Sequence, residues 1–208
     1  MARRSTQRPV PDALALDHYA LSRLVHRDHG GAVAAIRRAI EVEPTTAQWQ
    51  SDLGFFLYAA RDTAAALQAV ERSIALDPTF FEGHHQLAWI ESGRGNVERA
   101  RDALARARAL AGRDYAWSQF AEGLIHVRSG DTAATRAQLG RLDRRPRYAQ
   151  QAVILNAIGL RDSAALMLHK AYETRDVDLL MAVNAIPELY SLRDHPRFVQ
   201  LRQRMGVP

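Results

Sequence analysis

The chain has 208 residues, of which 47% are hydrophobic and none is cysteine, so thiol catalysis, disulfide bonds and thiolate metal sites are excluded. Its formal net charge is +5 at pH 7, and arginine supplies nearly all of the positive charge, with Lys170 as the only lysine. Such a balance attracts acidic partners or nucleic acid, but the arginines alternate with acidic residues along predicted helices, which favours solvated helix faces.

Residues 1–11 are basic and contain Pro9 and Pro11. They lack the apolar core of a secretory signal. No apolar run in the chain approaches the roughly 20 residues of a membrane span. We therefore expect a disordered basic arm over residues 1–11 and a soluble, cytoplasmic protein.

Residues 19–112 repeat one pattern of small and large apolar residues three times, at a spacing of 34 residues. Alanine is followed four positions later by a larger apolar residue, and each cycle ends in proline or glycine. These positions are Ala32, Ala66 and Ala100, then Ile36, Val70 and Leu104, and finally Pro44, Pro78 and Gly112. A period of this length at helical spacings predicts stacked helix-turn-helix units, because each pair must bury its apolar face against the next pair.

The three regular repeats and two less regular copies after them predict five helix pairs. The predicted helices cover residues 12–27 and 31–43, 47–60 and 63–76, 79–92 and 97–110, 115–128 and 132–142, and 147–158 and 163–174. The spacing shortens between Gly130 and Gly159, which places a deletion in the loop before Tyr148. Residues 12–175 are therefore predicted to form one repeat array.

The last segment, residues 176–208, does not continue the repeat. It predicts a short helix over residues 177–184, an irregular link over residues 186–194 and a final helix over residues 196–205 that starts at proline. Because the last unit of a solenoid must cover an apolar face, we expect this segment to be a cap.

The 34-residue pattern closely resembles the tetratricopeptide repeat (TPR). The resemblance implies an all-α, right-handed solenoid of about five helix pairs, in which the first helices line a concave groove and the second helices face outward. A second resemblance rests on the run Pro187-Glu188-Leu189-Tyr190-Ser191-Leu192-Arg193-Asp194-His195-Pro196-Arg197-Phe198. This run is similar to the end of bacterial TPR regions that follow winged-helix regulators, adenylate cyclases or protein kinases. None of those regions precedes it here, which implies a bacterial, free-standing module.

The TPR register assigns a set of first-helix residues to the concave groove. The set comprises Gln48, Ser51, Phe55, Tyr58, Glu82, His85, Trp89, Trp117, Phe120 and Leu124, with Asp17, Leu21 and Leu24 from the first pair. Aromatic residues make up only 7% of the chain, yet five lie on this one surface, as is typical of binding hot spots. The set either holds apolar anchors of a peptide or packs between repeats and beneath a C-terminal segment that folds back into the groove.

The densest positive stretch provides a second candidate surface. It contains Arg136, Arg141, Arg144, Arg145 and Arg147. This possible basic patch suits an acidic protein surface, a phosphate backbone or an anionic lipid headgroup, and a solvated loop is the alternative interpretation.

No motif indicates catalysis, a metal or a cofactor. His84 and His85 lack a partner at the spacing of H-E-x-x-H, and Gly93-Arg94-Gly95 lacks the lysine of a phosphate loop. We therefore predict a protein that is not an enzyme and has no cofactor.

The sequence as a whole predicts an interaction scaffold that binds a protein or peptide segment in its concave groove. One alternative is a stand-alone regulatory module that acts on a separate transcription factor or cyclase. Another is a nucleic-acid-binding helical repeat that uses its arginine-rich surface. The partner has no signature in the sequence, and self-association through the terminal helices is compatible with it.

Overall fold

The computed structural model describes residues 12–112, 116–144 and 147–207, leaving aside the side chains of residues 116, 117, 143 and 144. Every regular element in this part of the chain is a helix, which confirms the predicted all-α class. The predicted arm over residues 1–11 and the patch residue Arg145 lie outside the described residues.

Ten helices form the five predicted pairs, and their ends lie within two residues of the predicted ends. They are α1 (Ala13–Val25), α2 (His29–Val42), α3 (Ala47–Ala59), α4 (Thr63–Leu76), α5 (Phe81–Arg94), α6 (Val97–Ala111), α7 (Ala116–Arg128), α8 (Thr132–Arg144), α9 (Tyr148–Ala157) and α10 (Arg161–Glu173). The two helices of each pair pack together, and the first helices α3, α5, α7 and α9 lie side by side along the stack.

Small residues allow the two helices of a pair to approach each other closely. Ala32, Ala66 and Ala100 are completely buried where the repeat places them. A β-carbon at Gly54 would overlap the Val70 side chain and lie 3.1 Å from the Ala66 carbonyl oxygen, so a larger residue would force the packing at this crossing to shift. The 34-residue pattern is therefore a pattern of helix contacts.

The C-terminal segment, residues 176–207, does more than cover the last pair. It forms α11 (Leu179–Ala185), a 3₁₀ helix (Pro187–Leu192) and α12 (Pro196–Met205). Helix α12 packs on α10, whereas α11 crosses the concave face and contacts α1, α3 and α9. The segment thus returns into the groove, which is the packing alternative that the sequence left open.

The prediction of an irregular link over residues 186–194 is wrong, because most of this stretch forms the 3₁₀ helix. Pro187 occupies its first turn, where a fixed φ favours helix entry. Side chains three residues apart share one face of a 3₁₀ helix, and Leu189 and Leu192 are both almost completely buried there. Burial of this face, which periodicity over so short a stretch does not indicate, explains the regular structure.

Among the described residues, no helix has both the length and the apolar character needed to cross a membrane.

Candidate functional site

The C-terminal segment places a carboxylate against the aromatic residues of the groove. Glu188 Oε1 accepts hydrogen bonds from the Tyr58 hydroxyl at 3.1 Å and from Trp89 Nε1 at 3.3 Å. The rings of Tyr58 and Trp89 meet edge to face with centroids 4.8 Å apart. Burial raises the pKa of Glu188, while the two hydrogen bonds act in the opposite direction. Two of the predicted groove aromatics therefore hold the segment in place.

Further hydrogen bonds, each involving at least one side chain, fasten the 3₁₀ helix of the same segment. The Tyr190 hydroxyl donates to the Ala59 carbonyl oxygen at 2.7 Å. Asn156 Nδ2 donates to the Glu188 carbonyl oxygen at 2.6 Å and to Ser191 Oγ at 2.8 Å. Helices α3 and α9, which belong to different repeats, are bridged in this way.

The structure divides the predicted groove residues into several groups. Tyr58, Phe120 and Leu124 are buried in one core cluster with residues of the C-terminal segment. Ser51 is buried, Gln48 is exposed, and the side chain of Trp117 lies outside the described residues. Asp17 and Leu24 are buried. The other predicted residues border an opening that the C-terminal segment leaves uncovered, and they are Leu21, Phe55, Glu82, His85 and Trp89.

This opening, which we call the groove pocket, has a volume of about 200 Å³. It is lined by the apolar side chains of Leu21, Phe55, Trp89 and Met181 and by the polar side chains of Asp52, Glu82, His85 and Gln86. Phe55 and Trp89 lie side by side, with ring centroids 6.0 Å apart. The pocket thus combines an aromatic and aliphatic surface with carboxylates.

Crowded carboxylates dominate the electrostatics of the groove pocket. Burial raises the pKa of Asp52 to about 7, and the negative charges of Asp17 and Glu82 act in the same direction. The hydrogen bond between Asp52 and Gln48 lowers the pKa but does not outweigh these effects. The Oδ2 atom of Asp52 is buried and has no hydrogen-bond partner among the described residues. Asp17 is itself buried, and burial raises its pKa. A cation at this site would stabilise the ionised form of Asp52.

Sequence reasoning missed three residues of the pocket. Asp52 lies three positions before Phe55 on the same helix face, and Gln86 lies four positions after Glu82, so helical spacing from the predicted residues points to both. Met181 lies on α11, and no pattern in the sequence predicts its position in the pocket, because that position depends on the C-terminal segment returning to the groove. No three histidines or carboxylates in the described part of the chain are grouped closely enough to hold a metal ion.

The predicted basic patch does not form one uncompensated positive surface. Arg141 Nη1 lies 3.6 Å from Glu122 Oε2, and Arg147 Nη1 lies 3.3 Å from Asp178 Oδ2. Arg136 is exposed, and the side chain of Arg144 is outside the described part of the structure. Two of its arginines therefore have acidic partners within the protein.

Known structures with the same arrangement of helix pairs are TPR proteins. A thermophilic TPR protein from Thermus thermophilus, TTC0263, superposes with a TM-score of 0.64 at 20% identity, over 83% of this chain and 98% of that chain. PilW, a widely conserved type IV pilus biogenesis factor, gives 0.60 at 16% identity, over 93% of this chain and 92% of that chain. MamA gives 0.50 at 21% identity, over 80% and 93% of the two chains.

No protein-family model matches the sequence, and no curated protein matches it significantly. Identities of 16–21% establish similarity of fold alone. The prediction of a TPR-type helical solenoid is confirmed at that level.

Proposed function

We propose that this chain, which has the fold of tetratricopeptide repeat proteins, is a non-catalytic scaffold that binds a segment of a partner protein in the groove pocket. The observation that carries this proposal is the chemistry of the pocket, where aromatic and aliphatic side chains stand beside Asp52 and Glu82. This combination suits an arginine or lysine side chain, which has an apolar stem and a cationic head.

The size of the pocket supports one side chain as the anchor. Its volume of about 200 Å³ lies below the roughly 300–1,000 Å³ of typical small-molecule sites. The aliphatic stem would pack against Phe55 and Trp89, and the rest of the partner segment would lie along the open part of the groove. Because the helices are already stacked, the scaffold loses little entropy on binding.

The charge of the pocket supports a cationic anchor. Ionised Asp52 is disfavoured by burial and by the charges of Asp17 and Glu82. A guanidinium or ammonium group within about 4 Å of a carboxylate contributes roughly 4 kcal/mol of attraction near a protein surface, before desolvation is subtracted. Binding of the cation is therefore expected to be coupled to deprotonation of Asp52 and to strengthen as the pH rises through about 7.

A peptide library with randomised flanks and a central arginine, lysine, leucine or glutamate tests the proposal. At pH 8 we expect the wild type to enrich arginine and lysine peptides about tenfold over glutamate peptides, a difference of about 1.4 kcal/mol. Asp52→Asn should remove this preference, because the neutral amide cannot pair with the cation. Phe55→Ala should weaken binding of both cationic peptides, because it removes the surface for their stems.

The matched control is Glu41→Gln, which removes one negative charge from an exposed position on α2. It should leave the enrichment unchanged. Two results would rule out the groove pocket as the binding site. One is equal enrichment of arginine and lysine peptides by Asp52→Asn and the wild type. The other is stronger binding of leucine and glutamate peptides than of arginine and lysine peptides by the wild type.

Nucleic-acid binding through the predicted basic patch is less favoured, because Arg141 and Arg147 lie beside Glu122 and Asp178. Action on a separate transcription factor or cyclase remains compatible with the scaffold proposal, since either protein can present a basic segment.

A further inference from the structure

Each helix pair turns at one residue with a left-handed backbone, and the next residue is the N-cap of the second helix. Aspartate and asparagine are favoured N-caps, whereas leucine is among the poorest. In chain order the left-handed residues are Arg27, Arg61, Gly95, Gly130 and Gly159, and the residues that follow them are Asp28, Asp62, Asn96, Asp131 and Leu160. The fifth turn therefore departs from a rule that the other four obey.

Leu160 has the backbone of an N-cap but cannot cap the helix. Its φ of −81° and ψ of 64° are close to the −89° and 74° of Asp62, yet no side chain caps α10 there. Ile158 lies on the other side of Gly159, and the side chains of Leu160 and Ile158 are 50% and 39% exposed. A turn that gives up its cap and exposes two large apolar side chains indicates a contact surface.

Ile158 and Leu160 form one wall of a cleft between α8 and the fifth helix pair, which we call the α8–α9 cleft. The cleft has two adjoining openings, with volumes of about 320 and 370 Å³. Val127 and Leu139 complete the apolar walls of the first opening, and Leu139 and Leu155 border the second. Each opening is large enough for an apolar side chain of a partner.

Gly140 on α8 leaves the second opening unfilled. A β-carbon at this position would meet no neighbouring heavy atom within 4 Å, so a side chain would fit without a clash. Glycine inside a helix is less stable than alanine. The helix thus carries a glycine where packing does not require one, at a position that borders the cleft.

Hydrogen-bond donors border the same cleft. Among the described residues that line the two openings, only Arg136 is charged, and it borders both. Arg136 is exposed, whereas Arg141 on the same helix lies 3.6 Å from Glu122. Gln151 borders the second opening and is 4% exposed, and its buried Nε2 atom has no hydrogen-bond partner in the described part of the chain. A cation and an unpaired buried donor favour an occupant that supplies negative charge and acceptor oxygens.

We propose that the α8–α9 cleft binds a segment of a partner protein that presents large apolar side chains next to an aspartate or glutamate. The apolar side chains fill the two openings, and the carboxylate pairs with Arg136. The cleft shares no lining residue with the groove pocket, so this binding is independent of the function proposed for the pocket. The scaffold then has two surfaces of opposite charge preference, one for basic and one for acidic segments.

A display library of random twelve-residue peptides, selected on the wild type, tests the proposal. The bound peptides are divided by whether they also bind Leu160→Asp, which replaces an apolar wall with a negative charge. We expect a class of peptides that binds Leu160→Asp at least tenfold more weakly and combines large apolar residues with aspartate or glutamate. This class should bind Asp52→Asn as tightly as the wild type. Absence of the class, or a class without acidic residues, would overturn the proposal.

The same variant separates a binding role of Leu160 from a structural one. Because the backbone at Leu160 already has the cap conformation, Leu160→Asp should restore the missing N-cap and raise Tm by about 2–4 °C. The variant should therefore be more stable than the wild type while it loses the peptides. A Tm below that of the wild type would show that the Leu160 side chain supports the fold, and would contradict the proposal.

Arg136→Gln tests the charge preference. It should weaken binding of the acidic peptides about tenfold, and should leave unchanged the affinity for versions in which glutamine or asparagine replaces the acidic residue. Leu166→Asp, at a position on α10 that is 43% exposed and borders neither opening, is the matched control and should retain the peptides. Equal affinity of the wild type and Arg136→Gln for the acidic peptides would rule out the pairing with Arg136.

Sedimentation velocity distinguishes a partner segment from a second copy of this chain. We expect the wild type and Leu160→Asp to have the same apparent mass at every protein concentration. A dimer that forms in the wild type and is lost in Leu160→Asp would assign the cleft to contact between copies and overturn the proposal.

Discussion

Two regions of the molecule gather like charges, but they differ in how they can relieve them. The groove pocket gathers carboxylates around Asp52, and the ring of Tyr190 gathers the guanidinium groups of Arg61 and Arg193. The carboxylates of the groove pocket can take up a proton, and the pKa of Asp52 is raised to about 7. The two arginines at Tyr190 have no such outlet, because a guanidinium group stays protonated throughout the physiological range. We therefore expect the groove pocket to respond to pH, while the charges of the two arginines at Tyr190 stay constant.

Both regions are completed by the C-terminal segment. Met181 borders the groove pocket, and Tyr190 and Arg193 lie beside Arg61. Between them, Leu189 is buried in the core cluster that contains Tyr58 and Trp89. The segment that appears in the sequence as a cap is therefore a structural part of two surfaces, and separating their contributions is the purpose of the following variants.

The largest effect is expected from Leu189→Ala, which would damage both regions together. Leu189 is 1% exposed, and loss of a fully buried leucine side chain costs about 3 kcal/mol of unfolding free energy. Urea denaturation followed by circular dichroism measures this loss. Leu166→Ala, at a position 43% exposed on α10, is the control and should cost less than about 1 kcal/mol. A similar loss in both variants would mean that Leu189 does not anchor the segment.

Asp52→Asn should affect the pH response of the groove pocket and leave the contacts of Arg61 and Arg193 with Tyr190 intact. A carboxyl group whose pKa is raised on folding binds its proton more tightly in the folded state. Its contribution to stability is therefore present below its unfolded pKa, near 4, and is lost as the pH rises through about 7. Between pH 5 and pH 8 we expect the wild type to lose about 2 kcal/mol relative to Asp52→Asn.

Urea titrations at the two pH values provide this comparison, with exposed Asp102→Asn on α6 as the control. Asp102→Asn should show the wild-type pH dependence. If Asp52→Asn lost as much stability as the wild type over this range, the raised pKa of Asp52 would be ruled out.

Glu188→Ala should have a smaller effect, confined to the contact between the C-terminal segment and α3 and α5. The Tyr58 hydroxyl and Trp89 Nε1 would lose their common acceptor, which costs about 1–2 kcal/mol when donors are left buried. Glu188→Gln keeps an acceptor oxygen and should lose less than half as much. Calorimetric Tm values of the two variants measure the difference, and equal losses would show that the hydrogen bonds contribute little.

Local patterns in the sequence were sufficient for the repeat array. The 34-residue spacing of Ala32, Ala66 and Ala100 predicted the helix pairs to within two residues, because small residues at helical spacing are required wherever two helices cross closely. The same register placed Phe55 and Trp89 on the concave face, where both border the groove pocket.

Tertiary structure alone decided which groove residues stay open and which charges meet. Tyr58 is covered because Glu188, 130 residues later, returns to it, and no local periodicity contains that information. The equivalence of Arg27 and Arg61 is visible in the sequence as a repeat position, but the meeting of Arg61 with Arg193 at the Tyr190 ring is not. Helix periodicity arises from contacts within a turn or two of the chain, whereas the groove pocket and the contacts of Tyr190 arise from the path of a segment that packs against the distant first repeats.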